Sequence, residues 1–336
     1  MNIAVDVFGG DNAPQAILDG CMLALSQNTD MRLILVGEIS VIEKYLAEYA
    51  YDSNRIRIKH APEVISSHEQ PTVAIKQKKE SSLVQALLCV SQGEAGCMVS
   101  AGSTGAVLAG ATLLVRRLKD VKRPALAPIM PTRTGCILLV DCGANIDCKP
   151  VYLQQFAVMG SAYMQHVRGI ERPRIGLLNN GAEAEKGNEL TKATYPLLER
   201  TPINFVGNCE GRDALSGNFD VVVCDGFSGN VFLKSTEGAA ELMVQMLKDE
   251  LTADTRSKLG AALAKPAFHR FKSRMDYTEY GGAPLLGIKG GIIKAHGSSN
   301  AKAFAAALRQ AAAYIQGNVT EAIGEAIAAM EPDDLG

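Results

Sequence analysis

Short runs of Val, Ile and Leu alternate along the chain with longer stretches whose apolar residues recur at helical spacing. In the first hundred residues this pattern predicts strands at Asn2–Phe8, Met31–Gly37, Arg55–His60 and Cys97–Ser100, and helices at Pro14–Gln27, Ile39–Ala50 and from Ser81 or Ser82 to Val90. Apolar strands separated by helices are typical of a parallel sheet that is covered on both faces. We therefore predict an α/β fold.

The same alternation continues through the rest of the chain. It predicts a hairpin or two neighbouring strands at Leu126–Met130 and Cys136–Asp141, the helices Val151–Arg168 and Asn188–Glu199, the strands Arg174–Leu178, Ile203–Gly207 and Phe219–Cys224, a long helix through Leu251, the strand Ile292–Ala295 and a final helix from Asn300. With 336 residues the chain is long enough to bury a large core and to form two lobes.

Composition narrows the class of protein. Hydrophobic residues make up 47% of the sequence, charged residues make up 21%, and the net charge is −2. These values describe an ordinary globular protein and argue against bulk nucleic-acid binding. No apolar run approaches the ~18 residues that a membrane span requires, and MNIAVDVFGG enters a strand without a basic leader. We expect a cytoplasmic protein.

Cysteine and histidine usage gives no sign of a metal centre. The eight cysteines include no C-x-x-C pair, and the five histidines include no H-E-x-x-H motif. The cysteines lie mostly in apolar segments, which is typical of reduced thiols that serve in packing. We therefore expect no metal site.

A turn rich in glycine and hydroxyl residues follows the strand at Cys97–Ser100 and leads into a helix of small residues. Backbone N–H groups at such a turn, with the positive end of the helix behind them, suit an anion, and glycine allows close approach. The sequence therefore predicts a phosphate-binding turn formed by Gly102, Ser103, Thr104 and Gly105. A simple helix cap is the alternative for this motif.

Polar residues also follow two other apolar strands, where open α/β sheets place their chemistry. Asp141, Asn145 and Lys149 follow one strand, and Asp225 and Asn230 follow another. An unpaired buried carboxylate is costly, which favours function for the two aspartates, whereas either asparagine alone is more typical of a turn. The recurrence of this pattern predicts one composite site.

The segment 252–275 differs from the rest, because it is helical in propensity, interrupted by Pro266 and basic toward its end. Its cations include Lys265, Arg270, Lys272 and Arg274, which surround apolar residues at helical spacing. Contact with a partner subunit, with an acidic protein or with an anionic membrane surface would each suit this pattern. We interpret the segment as a basic helical protrusion.

Nine ordered motifs spread over nearly the whole chain resemble those of the bacterial phosphate acyltransferase family. They are DVFGGDNAP (6–14), SAGSTGA (100–106), DCGANIDCKP (141–150), QFAVMGSAY (155–163), EKGNEL (185–190), NCEGRD (208–213), VVCDGFSGNVFLK (222–234), DYTEYGGAPLLG (276–287) and AHGSSNAKAF (295–304). The family's usual residues are replaced by Asn12, Ser103 and Ala182, which makes these three poor candidates for an indispensable proton carrier.

The resemblance implies transfer of a long-chain acyl group from acyl carrier protein to inorganic phosphate, for use by a membrane glycerol-3-phosphate acyltransferase in phospholipid synthesis. It implies a homodimer without metal or nucleotide cofactor. The implied fold is a two-lobed, three-layer α/β sandwich with a largely parallel sheet, like that of phosphotransacetylases and isocitrate or isopropylmalate dehydrogenases. We expect a single domain over residues 1–336, with lobes at 1–100 plus 281–336 and at 101–280.

The matched motifs also carry candidate site residues. The resemblance implies substrate-binding roles for Asp6, Gly9, Gly10, Asp11, Asn230 and His296 and catalytic roles for Lys149, Lys186, Asp141, Asn145 and Asp225. Either lysine would neutralise the phosphate or the oxyanion. For His296, a purely structural role is the alternative.

Two other functions stay open at this point. A short-chain phosphotransacetylase that uses coenzyme A would share the chemistry, and a non-enzymatic carrier-protein or membrane adaptor would use only the basic segment. A thiol-nucleophile mechanism at Cys142 or Cys148 is disfavoured, because phosphate is itself a nucleophile and neither thiol has an adjacent histidine in the sequence.

Overall fold

The computed structural model describes residues 1–275 and 281–330, except for the side chains of residue 269 and residues 272–275. In chain order the strands are β1 (Asn2–Asp6), β2 (Arg32–Gly37), β3 (Ile56–His60), β4 (Cys97–Ser100), β5 (Ala125–Leu126), β6 (Ile129–Pro131), β7 (Cys136–Val140), β8 (Ile175–Asn179), β9 (Phe205–Glu210), β10 (Val221–Val223), β11 (Ala283–Leu286) and β12 (Gly291–Lys294).

Eleven α-helices connect and cover these strands within the described residues. They are α1 (Gln15–Gln27), α2 (Ile39–Leu46), α3 (Pro71–Gln77), α4 (Ser82–Ser91), α5 (Thr104–Gly110), α6 (Pro150–Arg168), α7 (Glu189–Arg200), α8 (Gly226–Thr252), α9 (Thr255–Met275), α10 (Ala301–Gln316) and α11 (Val319–Ala328). A π-helical turn, Ala111–Val115, directly continues α5.

The strands form two sheets. The first has the order β3–β2–β1–β4–β12–β11–β5, and the second has the order β6–β7–β10–β8–β9. Most neighbours are parallel, whereas β11 is antiparallel to both of its neighbours and β6 is antiparallel to β7. This arrangement confirms the predicted α/β fold with largely parallel sheets.

The segment predicted as one strand at Leu126–Met130 is divided between the two sheets. Leu126 ends β5 in the first sheet, and Ile129 begins β6, which forms a hairpin with β7 in the second. Pro128 separates the two strands, and proline has no N–H to donate to a ladder. The chain therefore crosses between the sheets here.

Two helix predictions need correction. Helix α3 was missed because its β-branched Thr72 and Val73 are poor helix formers; the helix begins with Pro71 and buries Ala74 and Ile75. Helix α9 passes through Pro266, so the predicted interruption there was wrong. The predicted cap at Ser81 is confirmed, because its hydroxyl accepts the Val84 N–H at 3.4 Å.

Buried apolar residues of the two sheets pack together. One apolar cluster joins Val5 and Val99 of the first sheet to Val140 and Val223 of the second, with Phe156 of α6 also fully buried among them. Helices α8 and α9 pack on each other as a hairpin. The predicted lobe boundaries at residues 100 and 281 stay a prediction. None of the helices in the described ranges is long and apolar enough to cross a membrane.

Candidate active site

A cavity of about 710 Å³ lies where the carboxyl ends of β4 and β12 face the loop after β7 and the first turns of α8. Its apolar lining comes from both sheets and from α8 and includes Leu108, Leu126, Ile129, Met130, Leu215 and Leu233. Its polar lining includes Thr104, Asn230, Lys234, Lys294 and His296. A largely apolar cavity with a few convergent polar groups is typical of a substrate site.

The predicted phosphate-binding turn borders this cavity through Thr104 and Gly105. Within the described residues, the backbone N–H groups of Ser103, Thr104 and Gly105 have no hydrogen-bond acceptor, so they are available to a ligand. The Gly102 N–H is different, because it donates to the Ser100 hydroxyl at 3.0 Å. The turn thus offers three neighbouring N–H donors to a ligand, whereas the N–H of Gly102 is already bonded to Ser100.

Lys294, at the end of β12, was missed by the sequence analysis. Only 8% of its surface is exposed, and its ammonium group donates to the Ala101 carbonyl at 3.4 Å. Burial lowers the pKa of Lys294 to about 8, and the nearby carboxylates of Asp6 and Asp11 oppose that shift. The one signal in the sequence was a lysine that ends the otherwise apolar strand GIIK.

Asp141 lies beneath the cavity wall instead of lining it. Its carboxylate accepts the Leu126 N–H at 2.8 Å, the Cys142 N–H at 2.7 Å and the Ala144 N–H at 3.3 Å. It also accepts the backbone N–H of Asn145 at 2.6 Å and its side-chain amide at 3.0 Å. Burial raises the pKa of Asp141 to about 6, against these hydrogen bonds. Asp141 and Asn145 therefore hold the loop whose Cys142 lines the cavity.

Helix α8 supplies one wall of the cavity. Asp225 caps this helix: its carboxylate accepts the Ser228 N–H at 2.8 Å and the Ser228 hydroxyl at 2.7 Å. Asn230 and Lys234 follow on a cavity-lining face, and Lys234 forms an ion pair with Glu237 at 2.7 Å. Asp225 therefore sets where α8 begins, and Asn230 is the residue that reaches the cavity.

The remaining predicted residues are distributed around this centre. His296 lines the cavity, and burial lowers the pKa of its ring. Asp11 is exposed and donates its backbone N–H to Gly297 at 2.9 Å. Lys149 and Lys186 are exposed side chains that do not line the cavity.

Gly9 and Gly10 follow β1 and pack against the phosphate-binding turn. A Cβ atom on Gly9 would lie 2.8 Å from the Gly102 nitrogen, and one on Gly10 would lie 2.8 Å from the Ala101 Cβ. Gly10 also has a φ of +107°, which favours glycine. The pair therefore allows two backbone segments to approach each other closely.

The described side chains of the basic protrusion do not line the cavity. Lys265 and Arg270 are exposed on α9, whereas the side chains of Lys272 and Arg274 fall outside the described part of the chain. The described residues contain no group of three or more His, Cys, Asp and Glu side chains arranged to hold a metal ion.

Cys142 lines the cavity, and Cys148 follows in the same loop, so the surroundings of both thiols decide whether a thiol mechanism is possible. Burial, with a smaller contribution from the charge of Asp141, raises the pKa of both thiols to about 12. The thiolate, which is the nucleophilic form, is therefore scarce at neutral pH. We expect the double variant Cys142→Ala, Cys148→Ala to retain turnover within about threefold of the parent rate; an inactive but folded double variant would contradict this.

Three solved structures share this fold. A phosphotransacetylase from Streptococcus pyogenes matches with a TM-score of 0.61 at 15% identity over 96% of this chain and 94% of its own. A branched-chain phosphotransacylase from Enterococcus faecalis has a TM-score of 0.57 at 14% identity over 94% and 99%. A 4-hydroxythreonine-4-phosphate dehydrogenase from Klebsiella pneumoniae has a TM-score of 0.51 at 12% identity over 93% and 98%. The class is an α/β protein with the phosphotransacetylase fold.

Sequence relatives narrow that class to one family. A family model described as "Fatty acid synthesis protein" matches residues 1–322. A phosphate acyltransferase from Clostridium acetobutylicum is 49% identical over 323 residues, which cover 96% of this chain and 98% of the relative. One from Clostridium perfringens is 48% identical over 328 residues, which cover 97% of each. The chain belongs to the phosphate acyltransferase family, a family of acyltransferase enzymes, as its motifs predicted.

Proposed function

We propose that this enzyme reversibly transfers a long-chain fatty acyl group from acyl carrier protein to inorganic phosphate, giving an acyl phosphate for phosphatidic acid and phospholipid synthesis. Family membership supports acyl transfer to phosphate, whereas the carrier and the chain length are our proposal. The observation that carries it is a long apolar cavity with a buried lysine among its lining residues.

The extent of the cavity favours a long chain. Its lining follows α8 from Asn230 to Ala240, a stretch of about 15 Å at the α-helical rise. Leu108, Ile129 and Leu233 line it as well. An acetyl group would leave most of this apolar surface uncovered, whereas a long acyl chain would remove it from water.

The other requirement is an anion site. Lys294 supplies a buried positive charge, and Ser103, Thr104 and Gly105 supply N–H donors in the same region. Such preorganised donors bind phosphate and stabilise the negative charge that develops in the transition state. Because Lys149 and Lys186 do not line the cavity, we propose Lys294 as the phosphate-binding lysine.

The reaction needs no acyl-enzyme. A phosphate oxygen attacks the thioester carbonyl carbon, the new C–O bond forms, and the C–S bond breaks as the tetrahedral oxyanion collapses. The electron pair of that bond leaves with the pantetheine sulfur, which takes a proton from solvent. Asn230 is our candidate donor to the oxyanion. The protein thus acts by positioning phosphate and stabilising charge.

The direct test mixes purified enzyme with long-chain acyl-acyl carrier protein and inorganic phosphate. Free carrier thiol is followed over time, and acyl phosphate is trapped with hydroxylamine. We expect phosphate-dependent formation of both products. Absence of product from a folded sample that binds carrier protein would favour the adaptor function instead.

A competition experiment distinguishes the short-chain alternative. Acetyl-coenzyme A and long-chain acyl-acyl carrier protein are supplied together, and the two acyl phosphates are quantified separately. We expect the long-chain product to dominate, because only the long chain covers the apolar lining. Preferential acetyl phosphate formation would identify a short-chain phosphotransacetylase.

The shifted pKa of Lys294 predicts a pH dependence. Below about pH 8 the buried lysine is protonated and attracts phosphate; above it the charge is lost. We therefore expect kcat/KM for phosphate to fall as the pH rises through about 8. The matched control is Lys294→Arg, whose guanidinium stays charged throughout this range. An identical alkaline fall in that variant would contradict the assignment.

The α8–α9 hairpin carries exposed apolar side chains beside its basic residues. Leu259 is 66% exposed and Leu263 is 80% exposed, in the same helix as Lys265 and Arg270. Basic amphipathic helices favour anionic surfaces, so we propose that this hairpin contacts the membrane or the carrier protein. A cytoplasmic enzyme with peripheral membrane contact could then deliver acyl phosphate to the membrane glycerol-3-phosphate acyltransferase, its functional partner. We also propose a homodimer.

Liposome sedimentation tests this contact. Leu259→Glu combined with Leu263→Glu is expected to lower binding to anionic vesicles by about tenfold, since each change places a carboxylate on the apolar face. The matched control is Leu113→Glu, which alters an exposed leucine outside the hairpin. Unchanged vesicle binding by the double variant would remove the membrane from the proposal and leave the carrier protein.

A further inference from the structure

Asp6 is a buried carboxylate at the end of β1 that the reaction described above does not use. It is 1% exposed and accepts two serine hydroxyls, those of Ser82 and Ser100, each at 2.6 Å. Burial raises its pKa, and the hydroxyls and the charge of Lys294 oppose that shift. Ser82 begins α4, whereas Ser100 ends β4 beside the phosphate-binding turn.

One of these serines connects Asp6 to the backbone of that turn. The Ser100 hydroxyl donates to Asp6 and accepts the Gly102 N–H at 3.0 Å. The packing leaves little freedom here, since a Cβ atom on Gly9 would lie 2.3 Å from the Asp6 carboxylate and 2.8 Å from the Gly102 nitrogen. Asp6 therefore orients Ser100, and Ser100 fixes Gly102, immediately before the three available N–H donors.

Charge provides a second connection. Lys294 donates to the carbonyl of Ala101, directly before that turn. The charges that act on Lys294 are those of Asp6 in β1, Asp11 in the following loop and Lys234 in α8. Lys294 in turn acts on the neighbouring His296. Of these groups, Asp6 raises the pKa of Lys294 the most. Asp6 thus favours the charged form of the lysine without touching a ligand in the cavity.

We infer that Asp6 is a positioning residue for the anion site: through Ser100 it sets the geometry of the phosphate-binding turn. This inference rests on the proposed function. It also replaces the predicted substrate-binding role of Asp6, because a side chain buried beneath the turn does not reach the cavity. The carboxylate acts on phosphate only through its neighbours.

Two serine variants separate positioning from folding. Ser100→Ala and Ser82→Ala each delete one buried hydroxyl bonded to Asp6 at 2.6 Å, but only Ser100 leads to the turn. We expect similar falls in Tm for both variants. We expect Ser100→Ala to raise KM for phosphate about ten- to hundredfold, and to raise the Kd for inorganic phosphate, measured by calorimetry, by a similar factor. Ser82→Ala should leave both constants close to their wild-type values.

Asp6→Asn adds the charge test: we expect the alkaline fall in kcat/KM for phosphate to move to lower pH. Equal effects of Ser82→Ala and Ser100→Ala on phosphate affinity would overturn the positioning role, whether or not Asp6→Asn folds. Calorimetry measures phosphate binding without turnover, so it tests the role of Asp6 separately from the proposed reaction. If the wild-type enzyme binds phosphate but shows no turnover, only the proposed reaction is refuted.

Discussion

Lys294→Met is expected to lower kcat/KM for phosphate by about 100- to 1,000-fold, which corresponds to roughly 3–4 kcal/mol of transition-state stabilisation. The reason is that Lys294 places a charge where little water screens it, since only 8% of its surface is exposed. Methionine has a similar length but supplies neither the charge nor the donor. Initial rates at varied phosphate concentration, with acyl-acyl carrier protein saturating, measure the effect.

Stability distinguishes a functional loss from a damaged fold. Burial already disfavours the charged lysine, as its lowered pKa of about 8 indicates, so methionine should leave Tm unchanged or raise it. Lys44→Met, at an exposed position on α2, is the matched control and should keep full activity. Activity of Lys294→Met within threefold of wild type, at roughly the precision of such assays, would remove Lys294 from the mechanism.

Asp141→Ala is expected to cause the second large effect, a loss of about 3–4 kcal/mol in the free energy of unfolding. The variant leaves four backbone N–H groups and the Asn145 amide without the carboxylate that accepts them. A buried donor without an acceptor carries its full desolvation cost. We expect Tm to fall by roughly 5–10 °C, and activity to fall with it, because Cys142 and Leu126 line the cavity.

Two further variants serve as controls for this result. Asp141→Asn keeps the size of the side chain and one acceptor oxygen, but it turns an amide NH₂ group toward some of the same donors. Its Tm should therefore lie between those of the wild type and Asp141→Ala. Asp147→Ala removes an exposed carboxylate from the same loop and should leave Tm close to wild type. If Asp141→Ala unfolded within about 2 °C of wild type, the loop would not depend on this carboxylate.

The candidate site could be predicted from the sequence only where its residues are neighbours in the chain. The phosphate-binding turn lies within one motif, and Asn230 lies one turn beyond the start of α8, so the sequence analysis named both before the structure placed them at the cavity. Lys294 was missed because it is remote from the turn in sequence, and the register of β12 beside β4 brings them together. Lys149 and Lys186 were chosen for their motifs, yet their exposed side chains do not line the cavity.

The same distinction applies to the carboxylates. Asp141 and Asp225 were predicted to be functional, since an unpaired buried carboxylate is costly. The structure shows how each is satisfied: Asp141 by backbone N–H groups of its own loop, and Asp225 by Ser228. A count of polar residues at strand ends does not reveal such local partners. Which donors reach each carboxylate depends on the conformation of the loop after the strand.

The sequence by itself determined the α/β class, the order of most strands and helices, and the family, because hydrophobic periodicity and ordered motifs are local properties that need no contacts. Only the tertiary structure decided that Ala125–Leu126 and Ile129–Pro131 belong to different sheets, that Lys294 is buried at the cavity and that Asp6 lies beneath the phosphate-binding turn. Those facts depend on strand register and on packing between residues far apart in the chain, where burial sets both the charge state and the available partners.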